Sequence, residues 1–240
     1  ADLIQLVKDQ KCDLGLAFDG DADRLGLITN TGRIIWPDRQ LMLLAQDILQ
    51  RKPGAVIVYD VKCSSLLGSV IEDAGGQALM CPTGHSIVKK VMRENGAQLA
   101  GEMSGHIFIK DNWSGFDDAL YSAARLMEIL SNSPLDVDQQ FAVLPDSVNT
   151  PELKIRVEEA EKFSLMAQII NTWRFDNGEN ILIDGLRYET ERAWGLIRAS
   201  NTSPYLVTRF EGQTLADMEY VQQLFRTKLL EMAPHLTLPF

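Results

Sequence analysis

Residues 18 to 24 read FDGDADR and place Asp19, Asp21 and Asp23 at alternate positions directly after an apolar run. Alternate side chains of an extended or turning loop can converge on one point, where three carboxylates repel one another unless some take up protons. A hard divalent cation removes that conflict. All-oxygen ligation selects Mg²⁺, Ca²⁺ or Mn²⁺, and a loop that leaves positions open for water and a substrate phosphate is the Mg²⁺ pattern. The helix-loop-helix calcium site is excluded, because it needs Gly and Glu where this chain has Arg24 and Asn30. Arg24, beside the candidate ligands, points to an anion shared with the metal. The competing reading is a solvated Asp/Gly turn.

Three further stretches carry chemistry. In CPTGHSIVKK a strand runs through Thr83, Gly84 and His85 into a helix, which makes either an anion site of backbone N–H groups or a simple cap. AGEMSGHIF sets Glu102, Ser104 and His106 at alternate positions; on one face they suit sugar hydroxyls, and the alternative is a polar edge strand. RASNTSP offers Arg198, Ser200, Asn201 and Thr202 before a proline, a phosphate cradle or an ordinary polar turn. Lys62, just after the strand AVIVYD, is a cation at a strand end, where α/β sheets bind ligands; otherwise it is a surface lysine. His85 and His106 are two of three histidines, and the third, His235, is read as surface.

These groups need elements to hold them. Apolar runs of strand length alternate with segments of helical period. The expected order is a short helix, strands at 14–18, 25–29 and 33–36, a helix at 39–51, the strand AVIVYD and the helix SSLLGSVIEDAGG. The strand QALMC, the helix SIVKKVMRENG, the short strands AQLAGE and HIFIK, and the helix DDALYSAARLMEIL follow. In that helix the aspartates are expected in the first turn, where the dipole favours them. The fold class is therefore α/β, a mixed sheet covered by helices. SNSPLDVD and LPDSVNTP read as turns, and the pattern beyond is strand, helix, strands ENILIDG, AWGLIRA and PYLVTRFEG, and a final helix, a smaller α+β domain. The expected division is 1–32, 33–145 and 146–240.

The net charge of −10 argues against non-specific nucleic acid or anionic membrane as a partner, so any anionic ligand relies on local cations. Cys12, Cys63 and Cys81 are odd in number and lack CxxC spacing, which points to buried reduced thiols of a cytoplasmic protein rather than disulfides or zinc. No run reaches the roughly 20 apolar residues that cross a bilayer.

FDGDADR, PTGHS, GEMSGH and RASNTSP, in that order and spacing, resemble the α-D-phosphohexomutase family, in its bacterial phosphomannomutase/phosphoglucomutase branch, from the first residues to the last. The resemblance implies that Asp19, Asp21 and Asp23 bind Mg²⁺ together with an enzyme phosphoserine, with Arg24 beside that phosphate. It implies that Glu102 and Ser104 hold the sugar 3- and 4-hydroxyls, common to mannose and glucose. Arg198, Ser200, Asn201 and Thr202 would hold the phosphate not being transferred. Thr83, Gly84, Lys62, His85 and His106 would line the cleft, His106 as acid/base. The implied reaction is reversible conversion of hexose 1-phosphate and hexose 6-phosphate through a hexose 1,6-bisphosphate. The family's Ser-His-Asn phosphate-donor loop has no match in these 240 residues. The chain is thus expected to be the C-terminal half of a four-domain enzyme: the end of domain 2, all of domain 3 and a phosphate-binding domain 4. Its expected partners are hexose phosphates and the N-terminal half, and alone it is expected to be inactive. Alternatives are a truncated sugar-phosphate-binding module and an aspartyl-phosphate phosphatase using Asp19.

Overall fold

The computed structural model describes residues 2–240 and divides into two compact units, one ending at Pro145 and the other running Asp146–Phe240. The first opens with α1 (Asp2–Gln10), β1 (Leu14–Phe18), β2 (Leu25–Thr29) and β3 (Ile34–Ile35), the strands forming an antiparallel sheet in which Phe18 faces Leu25. The aspartate motif is the connection between β1 and β2. Then α2 (Pro37–Arg51), β4 (Val56–Asp60), α3 (Ser65–Asp73), β5 (Gln77–Cys81), α4 (His85–Glu94), β6 (Leu99–Gly101), β7 (Ile107–Ile109), α5 (Ala119–Ser131) and α6 (Val137–Ala142) complete the unit.

Strands β5, β4 and β6 run parallel in that spatial order, and β7 adds antiparallel to β6, so the expected mixed sheet is present. Successive residues point to opposite faces, which is why these strands are apolar throughout. Ile57, Tyr59, Leu99, Ile107 and Ile109 join Leu41, Leu67 and Leu126 of α2, α3 and α5 in one core. Val58, Ala100 and Phe108 join Val88 and Met92 of α4 in the other. Pro37 at the first helical position starts α2 two residues earlier than expected, since proline's fixed φ suits that position. Between the two stretches expected as turns, and overlapping the end of the first, lies α6, opened by a reciprocal cap between Asp136 and Gln139. At α5 the aspartates precede the helix; Asp118 is its N-cap, accepting the Tyr121 N–H at 2.9 Å.

The second unit contains β8 (Val148–Asn149), β9 (Leu153–Arg156), α7 (Glu159–Thr172), β10 (Glu179–Ile181), β11 (Leu186–Glu189), β12 (Ala193–Ala199), β13 (Tyr205–Gly212) and α8 (Leu215–Met232). Its sheet is antiparallel, in the order β10-β11-β12-β13-β8 with β9 also on β13, and α7 and α8 cover the face carrying Ile197 and Phe210. Neither β8 nor β11 is legible in the pattern. Strand β11 buries Arg187 completely, with its guanidinium carbon 3.8 Å from the centre of the Trp194 ring and its head on Glu189 at 2.8 Å. Cys63 and Cys81 are buried thiols, whereas Cys12 is only half-buried, contrary to expectation. Among the described residues no helix is long and apolar enough to cross a membrane.

Candidate functional site

The loop between β1 and β2 is a turn wound around Asp19. Its carboxylate accepts the Asp23 and Arg24 backbone N–H groups, each at 3.2 Å, and the Arg24 guanidinium pairs with its other oxygen. Ala22 adopts φ +58, a left-handed conformation that costs an L-residue about 1–2 kcal/mol. The turn brings one oxygen of each of Asp19, Asp21 and Asp23 within 4.8 Å of the others. Burial raises the Asp23 carboxyl, the His106 charge opposes this, and the charges of Asp19 and Asp21 add to the rise. Burial also works against ionisation of Asp19, but the Arg24 hydrogen bonds hold it below its usual value. An oxygen-only donor set in electrostatic conflict fits a hard divalent cation. Arg24 folds back onto Asp19, and lies 3.5 Å from Asp23, so part of the charge that poses the question is balanced within the loop itself.

The turn between β6 and β7 carries the next group. It is a reverse turn rather than an extended strand: the Glu102 N–H donates to His106 O at 2.9 Å, the Gly105 N–H to Glu102 O at 3.1 Å, and Gly105 has φ +108. The three side chains expected on one face therefore lie at different depths, Glu102 buried, His106 half-buried and Ser104 exposed. Backbone bonds clasp this turn to the aspartate loop: the Leu25 N–H donates to Gly105 O at 3.2 Å, and Arg24 bridges His106. The Ala119 N–H, at the start of α5, reaches Ala22 O at 3.1 Å. Asp19, Arg24, Trp36, Met103 and Ser104 line a cavity of about 410 Å³.

His106 stacks on His85, with ring centres 5.7 Å apart. Its Nδ1 is 3.6 Å from Asp23 and 3.3 Å from Asp117, and the His85 Nδ1 is 3.4 Å from the same Asp117 oxygen. Burial lowers the His106 imidazole; the two carboxylates resist this, and Arg24 and His85 reinforce it. A neutral imidazole can take a proton from a hydroxyl. Burial works against ionisation of Asp117, yet the Lys89 ammonium, donating at 3.0 Å, keeps it below the usual range. Asp117 is absent from the sequence-derived set. In the sequence it reads as an aspartate of the first helical turn, and only the fold, which leaves it ahead of α5, turns it toward both histidines.

Glu102 is 2% exposed and its Oε1 accepts the Gly84 N–H at 2.7 Å, so the anion at the start of α4 is this protein's own carboxylate. Burial pushes Glu102 up, and the neighbouring Asp60 charge adds to the effect. Lys62 is buried, with its Nζ 3.6 Å from Asp60, and Thr83 donates its hydroxyl to Asp60 at 3.1 Å. Asp60 is a second residue that the sequence reading passes over.

In the other unit, β12 and β13 form a hairpin in which Ala199 pairs with Leu206, and RASNTSP is its tip. Ser200 and Ser203 share a hydroxyl bond of 2.7 Å, and the Thr202 N–H points at Ser200 Oγ at 3.4 Å. Asn201 and Thr202 are exposed. Arg198, 6% exposed, donates its Nε to Asp184 at 2.8 Å, a carboxylate with no signature in the sequence.

The family models described as phosphoglucomutase/phosphomannomutase alpha/beta/alpha domain II, alpha/beta/alpha domain III and C-terminal domain match residues 1–32, 36–147 and 152–228. A phosphomannomutase/phosphoglucomutase of Pseudomonas putida is 52% identical over 239 residues, covering 100% of this chain and 52% of that protein. The chain thus spans about half the length of the curated relatives it matches. A solved phosphoglucomutase/phosphomannomutase family protein of Burkholderia thailandensis superposes with TM-score 0.93 at 47% identity, covering 100% of this chain and 51% of the other. The N-acetylphosphoglucosamine mutase of Aspergillus fumigatus, solved in complex with GlcNAc-6P and magnesium, has TM-score 0.62 at 15% identity over 87% of this chain and 47% of that one, a likeness of fold.

Proposed function

The chain belongs to the phosphoglucomutase/phosphomannomutase family, and from that premise we propose that it supplies the metal- and sugar-binding part of a cytoplasmic phosphohexomutase. Residues 1–32 are assigned to the end of one family domain, 33–145 to the sugar-binding domain and 146–240 to the phosphate-binding domain. The substrates are hexose 1- and 6-phosphates of the mannose or glucose series. What carries the reading is the clasp between the Leu25 N–H and Gly105 O, 3.2 Å, which joins the candidate metal loop to the turn bearing Glu102, Ser104 and His106.

Asp19, Asp21 and Asp23 would hold Mg²⁺, whose bound charge offsets that of a phosphoryl group in transfer. Arg24 exchanges its bond with Asp19 for a phosphate oxygen. His106, kept neutral by burial, takes the proton from the attacking sugar hydroxyl as the new sugar O–P bond forms and the serine O–P bond of a phosphoserine outside this chain breaks, with the serine oxygen taking up a proton. In the reverse half-reaction the sugar O–P bond breaks, His106 returns the proton to the sugar oxygen and the phosphoryl group goes back to the serine. Asp117 orients the His106 and His85 rings, and Lys89 keeps it charged. Glu102 and Ser104 bind the sugar hydroxyls, while Thr83, Gly84 and Lys62 hold the surrounding wall. Arg198, Ser200, Asn201 and Thr202 bind the phosphate that stays on the sugar, Arg198 being pre-aimed by Asp184.

Calorimetric titration of the chain with glucose 1-phosphate and Mg²⁺ tests the reading. Weak binding is expected, reduced about tenfold or more in Arg198→Ala through loss of a charge-assisted phosphate contact, with no glucose 6-phosphate formed. Absence of binding overturns the ligand assignment, and turnover by the chain alone overturns the division of labour.

A further inference from the structure

The end of β4 holds a buried carboxylate whose bonds reach both the loop before α4 and the turn carrying the candidate sugar-binding groups. Asp60 is 0% exposed. Its Oδ1 accepts the Met103 backbone N–H at 3.1 Å and the Cys63 thiol at 3.2 Å. Its Oδ2 accepts the Thr83 hydroxyl at 3.1 Å and lies 3.6 Å from the Lys62 ammonium. Met103 sits between Glu102 and Ser104, and Thr83 precedes Gly84, whose N–H is bound by Glu102 at 2.7 Å. The parallel register sets Tyr59 opposite Gly101, so Asp60 and Glu102 leave adjacent strands side by side, and both carboxylates reach into the loop before α4.

We propose that Asp60 is a positioning residue which, through its two oxygens, fixes the 82–85 loop and the 102–104 turn relative to each other and so sets where Glu102 and Ser104 meet a sugar ring; this rests on the sugar-phosphate reading above. Burying a carboxylate costs several kcal/mol unless it is hydrogen-bonded and paired, so a residue serving stability alone would be better replaced by an apolar side chain. Here each oxygen binds donors from different loops, a pattern that gives geometric definition. Glu102 already joins the two segments through the Gly84 N–H, and Asp60 adds a second tie between them. An amide at this position keeps the volume but turns one acceptor into a donor. That donor faces either the Met103 N–H and the Cys63 thiol or the Lys62 ammonium and the Thr83 hydroxyl.

The test is Asp60→Asn in the 240-residue chain, read by amide hydrogen exchange without ligand. Exchange is expected to rise about tenfold or more in both 82–85 and 102–105, the two segments together, with the strand amides of β4 unchanged. Unaltered exchange in the two loops overturns the proposal, and a rise spread over the whole unit overturns it in favour of a general stabilising role. Should Asp60→Asn not fold, Thr83→Val and Thr83→Ser replace it: the valine variant loosens 82–85 and the serine variant, which keeps the hydroxyl, does not. Equal behaviour of the two overturns the proposal. A parallel titration separates this result from the functional reading. Glucose 1-phosphate affinity falls about tenfold in Asp60→Asn, while affinity for inorganic phosphate changes less than about twofold. If the unaltered chain binds no hexose phosphate, the functional reading fails while the exchange data still decide the role of Asp60.

Discussion

Gly105→Ala probes the clasp between the aspartate loop and the β6–β7 turn. At φ +108 an alanine is strained, and its Cβ would lie 3.3 Å from Arg24 Cβ and 3.5 Å from the Leu25 backbone N and O. The left-handed backbone costs about 1–3 kcal/mol. Relief by rotation breaks the Leu25 to Gly105 hydrogen bond, worth about 1 kcal/mol. A loss of ~2–3 kcal/mol lowers the unfolding midpoint of a unit of this size by about 5–10 °C. Gly20→Ala is the internal control: a Cβ there meets nothing within 4 Å, and its backbone lies outside the left-handed region. Thermal unfolding followed calorimetrically resolves the first unit's transition, and Mn²⁺ titration by electron paramagnetic resonance reports the loop. Gly105→Ala should lower the midpoint and weaken Mn²⁺ binding, with the midpoint of Gly20→Ala unmoved. A midpoint for Gly105→Ala within about 1 °C of the unaltered protein, or equal shifts in both variants, refutes the clasp as a structural constraint.

Two further outcomes follow from the second unit. Asp184→Ala leaves the nearly buried Arg198 without its carboxylate, so the second unit should lose about 3 kcal/mol in chemical denaturation, and a change below about 1 kcal/mol would show that solvent replaces the carboxylate. Asp217 is held down to about 2, first by the Arg192 side chain and then by Thr214. Its folded value lies below its unfolded one, so it stabilises the fold above the unfolded value and loses that contribution as pH falls toward 2. Asp217→Asn should therefore destabilise at pH 7 and converge with the unaltered protein near pH 2. Parallel stability curves across that range would exclude the coupling.

The comparison between pattern and fold turns on range. Alternating apolar runs were sufficient for β4, β5, β6 and β7, because a strand buried on both faces is apolar throughout, and the mixed helix-covered sheet was legible for that reason. Helix α6 escaped notice because six residues are too few for a helical period to emerge, although its Asp136–Gln139 cap is local and readable. Strand β11 is hard to read because its four residues, LRYE, are too few for the alternation of Leu186 and Tyr188 with Arg187 and Glu189 to stand out. Its arginine is buried only because Trp194 of β12 and Glu189 lie against it.

The candidate chemistry divides in the same way. The sequence by itself determined the kinds of groups available: the alternate aspartates with Arg24, the two histidines, the glutamate turn and the Arg-Ser-Asn-Thr hairpin tip. Local spacing is enough for that, since a loop of six residues must bring alternate carboxylates near one another. What pairs with what was decided by the tertiary structure. Asp117 faces His85 and His106 only because α5 begins beside the β6–β7 turn, and Asp60 meets Thr83 and Met103 only because β4 lies between β5 and β6. Arg24 turns back onto Asp19, and the Gly84 N–H is taken by Glu102. A lone acidic residue at a strand end or helix cap has no periodicity to mark it. Its role depends on which donors distant segments bring within 3 to 4 Å, and chain packing alone sets that distance.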